Sequence, residues 1–227
     1  MFYNEVRAIM ACEEDPSLIF ELIKEGHISV VDKVLYQKKV DLNTCDDFGN
    51  NVLMRLLKDK QFNLVLKYMK KEEVNINHQN NDGDTLAHIL CTMDFKYSLN
   101  IIKELKKNKE FDRNIKNNKG QTILDKAIEN DYIYTTLKIL EDKKFTDIDI
   151  ISFKHLYETF IKTNNYGKYT KLNNLEVVIR NIEKKPLLPK MKELIKYIKD
   201  NFKILKEEVL ANNSVAMDNI LNNLIED

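Results

Sequence analysis

The chain has 227 residues, 43% hydrophobic and 32% charged, with 36 basic and 36 acidic side chains in balance. That length gives room for one large or two small domains with a true core, and the composition excludes a disordered chain. No apolar run approaches the roughly 20 residues of a transmembrane helix, and the opening MFYNEVRAIMACEED lacks the basic-then-apolar order of a secretory signal.

Phe2, Val6, Ile9 and Met10 fall at helical spacing, which predicts a short amphipathic helix over residues 2–12. Asp15-Pro16-Ser17 supplies a stop and a new start, because proline fits the first helical turn but not the interior. Leu18, Ile19, Leu22 and Ile23 then mark a helix, Gly26-His27 a break, and Ile28, Val31, Val34 and Leu35 its partner. Val40-Asp41-Leu42-Asn43 leads to a turn at Asp46-Asp47-Phe48-Gly49.

This order recurs. Gly49 opens an apolar stretch through Val52–Leu57, followed by Phe62–Tyr68 and the ending Val74-Asn75-Ile76-Asn77. Gly83 opens Thr85-Leu86-Ala87-His88, with Leu99–Leu105 next and Phe111-Asp112-Arg113-Asn114 at the end. Gly120 opens Thr122-Ile123-Leu124, with Ile133–Leu140 next and Thr146-Asp147-Ile148-Asp149 at the end. The three glycines lie 34 and 37 residues apart, and Asn43, Asn77 and Asn114 repeat both intervals. Two landmarks with one spacing imply stacked supersecondary units, the three extra residues falling within 106–110 of the third.

The series resembles the ankyrin repeat, with its D-x-x-G-x-T-P-L-H-x-A opening, a Gly-His turn between helices and a D-V-N ending. Gly83, Thr85 and His88 match three hallmark positions, and Gly120, Thr122, Leu124 and Ala127 match four. Gly26-His27 begins a close match to the second-helix half. The hallmark proline is replaced by Val52, Leu86 and Ile123, and Met54 and Asp125 stand where His88 would recur. The match covers roughly residues 15–150 and implies an all-α solenoid of about four helix-turn-helix units with hairpin tips. Thr85 and Thr122 sit where a hydroxyl caps a helix, and the resemblance gives His88 a structural hydrogen-bonding role.

Residues 151–227 carry no further glycine-threonine signature and are expected to form a helical extension, with a degenerate fifth repeat left open. Phe153–Ile161 and Leu172–Ile182 predict one helix pair, and Pro186 and Pro189 a linker. Met191, Leu194, Ile195, Ile198, Phe202, Leu205 and Val209 then share one face of a long helix. Val215, Met217, Ile220, Leu221, Leu224 and Ile225 predict a last one. Between Lys162 and Lys206, twelve basic residues meet four acidic ones, a net +8. Lys192, Lys196, Lys199, Lys203 and Lys206 line up beside the apolar face, open to two readings. They bind an anionic surface, nucleic acid or membrane, or they are capping lysines whose stems cover apolar edge.

No catalytic pattern stands out. The histidines, His27, His78, His88 and His155, form no HxxxH pair, and there is no P-loop, GxGxxG or GxSxG. Cys12, Cys45 and Cys91, an odd number without CxxC, read as reduced thiols of a cytoplasmic chain, with signal-less export left open. The expectation is a non-enzymatic, monomeric protein-binding module without metal or cofactor. By resemblance its contacts are Asp47, Phe48, Asn50, Lys58 and Asp59 in one unit, and Asn81, Asp82, Asp84, Thr92 and Met93 in the next. The third contributes Asn118, Lys119, Gln121, Glu129 and Asn130. Phe48 reads equally as an interface anchor or as packing on the neighbouring tip.

Overall fold

The computed structural model describes residues 5–93, 95–130, 153–154, 176–177, 179–184, 187, 189–211 and 215–226. Among these the chain is α-helical without a strand, and no helix is long and apolar enough to cross a membrane. It divides into two compact units, Met1–Gly120 and Gln121–Asp227. The boundary expected at residue 150, the second helix and ending of the fourth repeat (131–149), and most of the helix pair expected over 153–182 lie outside the described residues.

In the first unit, α1 (Glu5–Glu14) packs on α2 (Leu18–Lys24) and α3 (Ile28–Tyr36). Its inward face is not the expected one. Ala8 and Cys12 are buried, whereas Val6 and Met10 are exposed. Two small side chains one turn apart let the helix lie close to α3, a Glu5–Lys33 ion pair links the two helices, and Glu13 pairs with Lys39 (2.6 Å) just beyond the end of α3.

Two further helix pairs follow: α4 (Val52–Lys58) with α5 (Phe62–Tyr68), then α6 (Leu86–Leu90) with α7 (Phe95–Lys107). Helix α4 packs against both α2 and α6, and α5 packs against α7, so each pair covers its neighbour's apolar flank. Leu53, Met54, Leu56, Leu57, Val65 and Leu90 are fully buried there. The turns within the first two of these helix pairs, α2–α3 and α4–α5, share one geometry. Gly26 adopts φ +80°, and the next N–H, of His27, returns to the Leu22 carbonyl at 2.9 Å. Lys60, 34 residues later, adopts φ +61°, and the Gln61 N–H returns to Leu56 at 2.8 Å. Both are glycine-type helix endings, one built with a lysine.

The second unit contains α8 (Ile123–Glu129), a helical segment at 179–183, α9 (Pro189–Asp200), α10 (Phe202–Ala211) and α11 (Val215–Glu226). Met191, Leu194, Ile195, Ile198 and Leu205 are buried as the periodicity predicts. The single long helix expected across residues 190–209 is instead two, α9 and α10, separated at Asn201. The side-chain amide of Asn201 donates to the Tyr197 carbonyl at 3.0 Å, and so does its backbone N–H at 2.9 Å. An asparagine that hydrogen-bonds its own backbone in this way competes with helix continuation. Helix α11 returns along both, and its Ala216 N–H donates to Glu208 Oε1 at 2.7 Å.

Candidate functional site

The three tips of the first unit are built alike. Asp46, Asn80 and Asn117, each three residues before a glycine, fold the turn over their side-chain oxygens. Asp46 accepts from the Phe48 and Asn50 N–H groups at 3.0 and 2.8 Å. Asn80 Oδ1 accepts from Asp82 and Asp84 at 3.0 and 2.9 Å, and Asn117 Oδ1 from Lys119 at 3.0 Å. The glycine N–H closes each turn onto the carbonyl of the same residue.

Successive tips are then joined by repeated bonds. Asn81 N–H donates to the Phe48 carbonyl and Asn118 N–H to the Asp82 carbonyl, both at 3.0 Å. Their side-chain amides donate to Asp47 O (3.1 Å) and Asn81 O (2.9 Å). Below the tips, Asn43 donates to Glu73 O and accepts from Asn75 N–H, at 2.7 and 2.8 Å. Asn77 does the same with Glu110 O and Asp112 N–H, at 2.6 and 2.9 Å. The tips therefore form a row in chain order.

Most of the expected contact residues of the first unit lie at its surface. Asp47, Phe48, Lys58, Asn81, Asp82, Thr92, Asn118 and Lys119 are exposed; Asp59, Asp84 and Met93 are half-buried. Asn50 is a correction. It is 1% exposed, with its amide on the Asp46 carboxylate and its Oδ1 accepting from Asn80 (2.9 Å), so it braces the row from inside. Asp84 holds the next tip by accepting from Asn117 at 2.7 Å. Asn81 and Asn118, although exposed, spend their amides on the row. Gln121, Glu129 and Asn130 belong to the second unit, where Gln121 donates to Glu129 at 3.2 Å. Asn130 is exposed beyond the end of α8, and its amide donates to the Lys126 carbonyl at 2.7 Å.

The caps that open the first helices are partly legible in sequence. Thr85 accepts from His88 N–H, and His88 Nδ1 accepts in return from the Thr85 N–H (3.2 Å) and faces its hydroxyl (2.9 Å). Because a backbone N–H only donates, Nδ1 carries no proton. Thr122 and Asp125 reproduce the same box in α8, the carboxylate accepting from the Thr122 N–H and hydroxyl at 2.8 Å each. Asn51 caps α4 alone, accepting from Met54 N–H at 3.0 Å.

The expected lysine stripe spans two helices. Lys192, Lys196 and Lys199 lie on α9, Lys203 on α10, and the side chain of Lys206 lies outside the described residues. Lys192, Lys196, Lys199 and Lys203 are all exposed, and Lys199 is ion-paired with Glu183.

Two polar clusters escaped sequence reading. Cys45 Sγ lies 3.5 Å from His78 Nε2, but that nitrogen is 2.7 Å from the Gly49 carbonyl and must donate to it. It cannot take the Cys45 proton, and burial together with Asp46 pushes the thiol up from its ordinary value. The pair is therefore no activated nucleophile. On the second helices, the buried Tyr68 hydroxyl donates to Asp32 Oδ1 at 2.6 Å, and Lys67 Nζ bonds the same carboxylate at 2.6 and 2.9 Å. Lys67 and Tyr68 hold Asp32 below the usual carboxylate range, while burial and Asp32 push the phenol above its own. Tyr68 follows Asp32 by 36 residues, about one repeat, so the repeat register was the signal that places them opposite each other. Among the described residues no group of three His, Cys, Asp or Glu could hold a metal ion. No protein-family model matches this chain, and no curated protein matches it.

Proposed function

We propose that the chain is an ankyrin-type helical-repeat solenoid of about four units that recognises a protein partner without catalysis, through its tips and first helices. The supporting observation is the row of tips. The same turn recurs at intervals of 34 and 37 residues, the same bonds join the first to the second and the second to the third, and the row presents Asp47, Phe48, Asp82 and Lys119. In a stack of this kind each unit touches only its neighbours, so the outward tip positions are released from packing duty and can serve contact. A crosslinking pull-down with photoreactive groups at Lys58 and Lys119 tests the reading. Recovery of a protein crosslinked at these positions supports it. Absence of any protein partner, together with measured turnover of a substrate, overturns it.

A second reading, docking on an anionic surface, retains the exposed Lys192, Lys196 and Lys203 of α9 and α10. It predicts binding to duplex DNA or anionic vesicles that weakens steeply with salt and with Lys→Gln substitution at all three positions. Equal, near-zero binding before and after substitution removes it.

A further inference from the structure

Phe48 is 67% exposed although its backbone is fully committed: its N–H donates to Asp46 and its carbonyl accepts from Asn81. That exposure decides between the two roles open to it, because a side chain packed on the neighbouring tip would be covered. An aromatic ring held outward on a pinned turn loses little freedom when a partner covers it, which favours its use as an anchor. Exposed acids flank it. Asp47 precedes it in the same tip, and Asp82 stands on the adjacent tip, which the Asn81 N–H ties to the Phe48 carbonyl. Unlike Asp46, whose carboxylate is consumed by the turn, neither makes a side-chain hydrogen bond or ion pair among the described residues. The basic residue of the row, Lys119, stands one tip further on.

We infer that the first two tips of the row take a basic partner segment, an apolar side chain resting on Phe48 with lysine or arginine on either side reaching Asp47 and Asp82. This rests on the protein-recognition reading and narrows it to one end of the row and one partner chemistry. A neutral or acidic segment would leave two carboxylates facing it without compensation, which is how charge selects among partners.

Panning a random twelve-residue peptide display library on the full chain tests the inference. Recovered peptides are expected to place Lys or Arg within two residues of an aromatic or aliphatic side chain. Their affinity for Phe48→Ala, and separately for Asp47→Asn with Asp82→Asn, should fall at least about tenfold, the second loss shrinking at high salt. Circular dichroism matching the parent shows that the variants are folded. Recovered peptides that are acidic or uncharged, or that bind both variants as well as the parent, overturn this inference and leave protein recognition standing elsewhere on the chain. Recovery of no peptide overturns it as well, and the crosslinking pull-down then decides the broader reading.

Discussion

Asn118 occupies the space that a side chain on Gly83 would need. A Cβ built there would lie 2.5 Å from Asn118 Oδ1 and 2.6 Å from its backbone nitrogen, and the glycine itself sits at φ +75°. Gly26 has a similar φ of +80° with nothing within 4 Å of the same position. Gly26→Ala is therefore expected to cost only the left-handed backbone penalty, about 1 kcal/mol. Gly83→Ala must also push back the next tip, and is expected to cost about twice that or more. Urea denaturation of both variants measures the gap; equal losses would show that the tip shifts freely.

Lys60 holds the conformation in which Gly26 is used, and it is exposed. Lys60→Gly is expected to raise stability by roughly 0.5–1 kcal/mol, strain relief exceeding the added freedom of the unfolded chain. An upward shift of the thermal midpoint is the readout.

His88 is fully buried, and its ring nitrogen closes the cap of α6. Replacement by alanine leaves the Thr85 N–H without that acceptor and opens a void, with an expected loss of about 2 kcal/mol. His88→Asn, whose amide oxygen can accept the same bond, is expected to recover part of it. Partner binding by the folded fraction should be unchanged, since the ring does not reach the surface. Lost binding in a variant of undiminished stability would contradict a purely structural role.

The Asp32–Tyr68 pair gives stability a pH profile with two edges. The Asp32 carboxyl titrates lower in the folded protein than in the unfolded chain. Its contribution is therefore present above the ordinary Asp value near 4 and fades as pH falls through the lowered one. The Tyr68 phenol titrates higher when folded, so its contribution is complete below the ordinary Tyr value near 10 and is lost as pH rises beyond it. Tyr68→Phe should remove the alkaline edge and lower stability at pH 7 by about 1–2 kcal/mol. Denaturation midpoints from pH 3 to 11 check both edges.

The helices and their pairing were largely legible in the sequence because they rest on apolar periodicity and on glycines at fixed intervals. The face of α1 was not, because Ala8 and Cys12 matter by being small, and hydrophobicity counts pass over smallness in favour of Val6 and Met10. The break at Asn201 was hidden because an apolar stripe continues through Leu205 across it, and the bond of the Asn201 side-chain amide to the Tyr197 carbonyl leaves no mark on that periodicity. At the tips, Asn50 looked like its exposed neighbours, and polar composition does not tell a brace from a contact. Its partner Asn80 lies 30 residues away and becomes visible only once the units are laid side by side.

The bonds between tips use mostly main-chain groups as their far partner: the carbonyls of Phe48, Asp82, Glu73 and Glu110 and the N–H groups of Asn75 and Asp112. Every residue type but proline offers both groups. Such a seam asks for an asparagine below the tip, a second in the next tip and a glycine where that second asparagine approaches, while the main-chain partners themselves place no demand on side-chain type. A copied unit would dock on its parent without retuning, and each copy would then be free to drift in its outward positions. A joint of this kind would let the row lengthen by one unit without change to the outward positions.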